Sequence, residues 1–140
     1  MFSFFKKKNN KIEKTDIISK TASLLIHAAK IDEQYTNKEK LIIEKTLLEL
    51  GAKEQDIKET MISAEKSEKQ SNQIIDFTKD IKNTDQDFKN KIIESLWKII
   101  YSDNDSDMYE SNLMRRLSGL LYLDNKVVGN IKEKIIKNLN

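Results

Sequence analysis

The 140-residue chain has no cysteine and no proline, and only three glycines. Without cysteine there are no disulfides, no thiolate nucleophile and no thiolate zinc site. Without proline, and with so little glycine, the tight turns of an all-β fold have few residues to build them. Only two arginines are present, Arg115 and Arg116; every other cation is lysine. Bidentate readout of phosphate and guanine relies on arginine, and the net charge is only +2, so no nucleic-acid partner is expected. One histidine, His27, and no glycine-rich phosphate loop leave no recognisable catalytic constellation, and the chain reads as a non-enzyme. A lone histidine at the edge of an apolar face is more often packed or at the surface than a ligand. No apolar run approaches the roughly 18 residues of a membrane span.

What the chain does have is charge and helical periodicity. An apolar fraction of 38% beside a charged fraction of 34% suits thin amphipathic helices. The size is that of one domain. Residues 1–14 read as a flexible N-terminal tail and residues 15–140 as a single domain. In the tail, Phe2, Phe4 and Phe5 precede Lys6, Lys7 and Lys8, the reverse of the order in a signal peptide. That leaves a cytoplasmic reading. The segment is either a disordered start or a weak membrane-surface contact, an apolar wedge beside a basic patch.

Apolar spacing predicts a helix from Asp16 to about Ile31. A second opens at Thr36 and stops at Gly51, a residue that accepts positive φ. A third runs from about Glu54 to Glu68 and places Ile57, Met61, Ile62 and Ala64 inward. After a polar break at Gln70-Ser71-Asn72, a short helix carries Ile74 to Ile81. Thr84-Asp85-Gln86-Asp87 starts the longest apolar helix, in which Trp97 reads as core. The last two helices carry Leu113 to Leu123, with Arg115 and Arg116 on a solvated face, and about Asn125 to Leu139. The expectation is all-α: a compact bundle of about seven helices.

An internal repeat organises these helices. Ile31-Asp32-Glu33-Gln34-Tyr35-Thr36-Asn37-Lys38-Glu39 and Ser102-Asp103-Asn104-Asp105-Ser106-Asp107-Met108-Tyr109-Glu110 lie 71 positions apart and share one layout. Each has an aspartate, a helix-capping residue four positions later (Thr36, Asp107), and a glutamate three beyond that. Thr36-x-x-Glu39 and Asp107-x-x-Glu110 match a capping box, which stabilises a helix by about 1 kcal/mol and needs no ligand. Capping leaves Asp32 and Asp103 unexplained, because an anion where a helix ends is disfavoured by the dipole. Asx turns or a cation would compensate. In the second loop Asp103, Asp105, Asp107 and Glu110 give a hard-oxygen ligand set suited to Ca²⁺, Mg²⁺ or Mn²⁺. It is not an EF-hand: Met108 stands where that loop needs glycine, and Met114 where it needs a bidentate glutamate. Asp32 and Glu39 are the candidate ligands of the first loop. The alternative is a helical protein-interaction module whose acidic loops only cap helices; no partner and no oligomeric state is legible.

The runs Leu25–Leu50 and Ile93–Leu123 resemble the two halves of the tellurite-resistance TerB family. That family repeats an Asp-Gly-acid signature followed by an apolar residue, an aspartate and, three later, a glutamate. Asp32, Tyr35, Thr36 and Glu39 fill the first copy; Asp103, Asp105, Asp107 and Glu110 fill the second. Ser95-Leu96-Trp97-Lys98-Ile99-Ile100-Tyr101-Ser102-Asp103, Arg115-Arg116-Leu117 and Phe77-Thr78 are also similar, over about residues 16 to 138. Glu33 and Asn104 replace the signature glycines, Thr36 replaces the first capping aspartate, and Ser106 replaces an apolar residue. The resemblance implies a seven-helix fold with two pseudo-symmetric halves, a stress-response role and divalent-cation binding. It also implies kinship with a domain found beside J domains in DnaJ-type co-chaperones, although a chain without proline has no His-Pro-Asp motif.

Overall fold

A computed structural model describes residues 2–31, 35–70, 74–101 and 108–139. Seven helices follow in order: α1 (Phe2–Ile31), α2 (Asn37–Glu49), α3 (Ile57–Gln70), α4 (Ile75–Ile81), α5 (Gln86–Ile100), α6 (Met108–Leu120) and α7 (Asn125–Leu139). A 3₁₀ turn, Glu54–Asp56, leads into α3, and no strand occurs among the described residues. The all-α architecture is the one the periodicity predicts.

Helix boundaries sit where side chains satisfy the open backbone groups. Thr36 caps α2 in a capping box: its hydroxyl accepts from the Glu39 N–H, and Glu39 Oε2 accepts from the Thr36 N–H at 3.2 Å. Asp85 caps α5 by accepting from the Phe88 N–H at 2.9 Å. The start of α1 differs from expectation. A tail to residue 14 and a helix from Asp16 are predicted, whereas the backbone is helical from Phe2. No glycine or proline lies between Phe2 and Asp16 to interrupt it, and the five lysines there are good helix formers.

The repeat extends well past the acidic loops. Thr21, Ala22, Leu24, Leu25, Ala28 and Ala29 of α1 are buried, and so are Ile92, Ile93, Ser95, Leu96, Ile99 and Ile100 of α5, each 71 positions later. Ile43, Thr46 and Leu47 of α2 correspond in the same way to buried Met114, Leu117 and Ser118 of α6. Each unit packs its first helix most extensively on its third, α1 on α3 and α5 on α7. Small residues allow the first approach: Ser23 donates to the Ala64 carbonyl at 3.1 Å. In the second, Trp97 Nε1–H donates to the Val128 carbonyl at 3.1 Å. Trp97 is thus core, as expected, and Lys132 lies 5.2 Å from its ring centroid. The units join where α1 and α2 both pack on α5, and there the hydroxyls of Thr46 and Ser95 share a buried hydrogen bond of 2.8 Å.

The second helix of each unit ends in the same hairpin of backbone bonds. Ala52 N–H donates to Leu47 O at 2.9 Å, and Leu123 N–H to Ser118 O at 2.8 Å. This Schellman closure needs a left-handed residue. Gly51 supplies it at φ 112°, while Tyr122 adopts φ 57° in the other copy. One expectation fails on α3: Ile62, placed inward by its hydropathy, is 67% exposed. The buried row is Ile57, Met61, Ala64 and Glu68, spaced 4, 3 and 4, and Ile62 lies about 100° off it.

Candidate functional site

The C-terminal end of α1, the N-terminal end of α2 and the C-terminal half of α3 meet beside the first acidic loop. Tyr35, the last loop position but one before α2, reaches α3 and donates its hydroxyl to Glu65 Oε1 at 2.9 Å. Lys40 lies 3.4 Å from the same oxygen. One turn along α3, Glu68 lands on the buried row and its carboxylate is shared. Lys30 Nζ donates to Oε2 at 2.7 Å, and His27 Nδ1 stands 3.3 Å from Oε1. The His27 ring is tilted against Phe77, with centroids 6.3 Å apart. Lys30 therefore pairs with the buried Glu68 and Lys40 with the half-buried Glu65, while the His27 ring contacts Glu68.

These contacts set the chemistry. Burial raises the Tyr35 phenol well above its ordinary range, and the hydrogen bond to Glu65 raises it further, since a phenolate there would face a carboxylate. Tyr35 is thus a neutral donor that ties the loop to α3, and no base is formed. Two turns earlier along α1, a hydrogen bond from Lys20 lowers the Asp80 carboxyl.

Of the six candidate ligands, Glu39 alone has a described side chain. It is 2% exposed and serves the Thr36 cap, receiving the Thr36 N–H and lying 3.3 Å from the Thr36 hydroxyl. Glu110 falls in the first turn of α6, with its side chain outside the described residues. Asp32, Asp103, Asp105 and Asp107 lie outside the described residues. Among the described residues no group of three or more histidines and carboxylates is arranged to hold a metal ion. The groove between α1, α3 and α4, about 320 Å³, is separate; Ser19, Lys20, Ser23 and Asp76 line its polar side.

Sequence reasoning missed Glu65 and Glu68. The signal was available for Glu68, because the spacing of Ile57, Met61 and Ala64 carries the core row onto it. Its pairing with Lys30 is a contact between α1 and α3, which periodicity within one helix does not show. No described helix is long and apolar enough to cross a membrane.

The family described as tellurite resistance protein TerB matches residues 19–133 of the chain. No curated protein and no solved structure gives a significant match. The family match spans α2 to α6 whole, α1 from Ser19 onward, α7 as far as Glu133, and both acidic loops. The chain belongs to the TerB family.

Proposed function

With TerB membership as the premise, we propose that this tellurite-resistance-associated protein is a non-enzymatic, cytoplasmic stress protein that binds a divalent cation at its second acidic loop. Asp103, Asp105, Asp107 and Glu110 are the ligands, and Ca²⁺, Mg²⁺ or Mn²⁺ is the ion. One observation carries the reading. In the first unit Lys30 and Lys40 pair with Glu68 and Glu65, the α3 carboxylates beside the loop. In the second unit both members of each pair are replaced, the lysines by Tyr101 and Ser111 and the glutamates by Leu139 and Ile136, while the loop itself carries four carboxylates against three and no counterpart of Lys38. Four carboxylates within eight residues, with no lysine among them, call for a cation from solution. Glu39 is committed to its cap, so the first loop and Asp32 are secondary.

Calorimetric titration of the full chain with Ca²⁺, Mg²⁺ and Mn²⁺ tests this. Binding tighter than millimolar is expected, weakened at least about tenfold by Asp103→Asn or Asp105→Asn, since affinity follows ligand charge. Thr36→Ala should leave the affinity unchanged while costing about 1 kcal/mol of stability. No binding tighter than millimolar, or full affinity in Asp103→Asn, would overturn the reading.

A second reading is favoured by α2. Leu41 and Leu48, one heptad apart, are 65% and 41% exposed on its outer face. An interaction module would use such a face and keep the acidic loops as caps. Under that reading Asp107→Ala and Glu110→Ala lower stability equally with and without added cation.

A further inference from the structure

The amphipathic pattern of α1 inverts along its length. From Ile18 onward the core row is Ile18, Ala22, Leu25 and Ala29, all buried. Carried back along the same helical register, that row becomes Lys14, Lys11 and Lys7. A second row, polar at Ser19, Ser23, His27 and Lys30 and meeting α3 through the last three, becomes Ile12, Phe5 and Phe2 toward the N-terminus. Phe4 falls on the lysine side.

Two further observations set this stretch apart. In the repeat, α5 begins at Gln86, which corresponds to Thr15 of α1. Residues 2–14 therefore exceed what the repeated unit uses. The family match begins at residue 19, beyond this stretch. A core row that turns to lysine does not continue the apolar stripe that Ile18, Ala22, Leu25 and Ala29 bury.

We propose that residues 2–14 form a docking helix for an anionic lipid surface. Phe2, Phe5 and Ile12 supply an apolar row for the interface, and five lysines against one glutamate supply attraction to anionic headgroups. Charge complementarity selects this occupant. The stretch contains no arginine, the residue that favours phosphate readout in nucleic acids. An apolar patch this short binds bilayers marginally by itself, so the lysines make the contact dependent on lipid charge and on salt.

The test is co-sedimentation of the full chain with vesicles of phosphatidylglycerol and phosphatidylcholine, against vesicles of phosphatidylcholine alone. Binding to the anionic vesicles is expected, released by raised salt, and absent with the neutral ones. The triple variant Lys7→Glu, Lys11→Glu, Lys14→Glu should bind at least about tenfold more weakly. Phe2→Ser with Phe5→Ser should also bind more weakly, and both variants should keep the thermal midpoint of the parent. Failure to bind anionic vesicles, equal binding to neutral ones, or undiminished binding by the triple variant overturns the proposal. A lowered midpoint in either variant also overturns it, because the segment would then be part of the packed domain.

Discussion

The two repeat units place their apolar residues alike and their charges differently. Leu25 of α1 and Leu96 of α5 are both fully buried, and the positions around them are buried in register. Around the first acidic loop, however, carboxylates are matched by Lys30, Lys40 and His27. The second unit has Tyr101, Ser111 and Lys98 at those positions, and Lys98 pairs along its own helix with Glu94 at 3.2 Å. Duplicated packing conserves a scaffold because burial responds to volume and apolar area at each position. Charges at a loop are held less tightly by the scaffold, so one copy can become an internal brace and the other a site for a ligand. In the first unit the two α3 carboxylates beside the TerB signature are paired with lysines of α1 and α2.

The largest effect expected concerns the shared core. Leu25→Ala and Leu96→Ala should each cost about 2–5 kcal/mol. Chemical denaturation should show one transition, shifted by similar amounts in the two variants, because α1, α2 and α5 pack together. Two separate transitions would break the equivalence of the units and show that they unfold independently.

A smaller effect, opposite in sign between the copies, is expected at the closures of α2 and α6. Gly51→Ala forces a side chain into a left-handed conformation and should cost about 1–2 kcal/mol. Tyr122→Gly relieves that strain but forfeits the contact with Lys82, whose Nζ lies 5.7 Å from the Tyr122 ring centroid, and frees the unfolded chain. The net gain should stay below about 1 kcal/mol. Thermal midpoints of the two variants check the sign difference, and a loss in Tyr122→Gly would show that the aromatic contact outweighs the strain.

The smallest effect is silent at neutral pH. The Tyr35 phenol is raised in the folded state, so the unfolded chain ionises first as pH climbs. Stability from this group is fully present below the unfolded phenol value, about 10, and is lost progressively above it. Tyr35→Phe should flatten the alkaline decline of stability in denaturation experiments above about pH 10. An unchanged alkaline limb would show that Glu65 does not hold the phenol neutral.

Much of this was legible before any coordinates. Thr36 and Glu39 announced their cap, since capping is a bond between residues three apart and depends on nothing distant. Gly51 announced the end of α2 for the same reason. Ile62 misled because hydropathy alone does not say which side of α3 faces α1. The start of α1 was misread because a polar, lysine-rich segment without core residues looks like a tail, while its backbone has no obstacle to remaining helical. Of the candidate site, the acidic residues were legible as a pattern, whereas the partners of Glu65 and Glu68 were not.

The sequence by itself determined the helices, the cap of α2, the repeat and the family, because each follows from periodicity, local hydrogen bonding or motif order. Tertiary structure alone decided that Tyr35, Lys40, Lys30 and His27 converge on α3. Those residues are separated along the chain by 25 positions or more from the glutamates they meet. Their meeting depends on how α1, α2 and α3 pack, and no local rule encodes that.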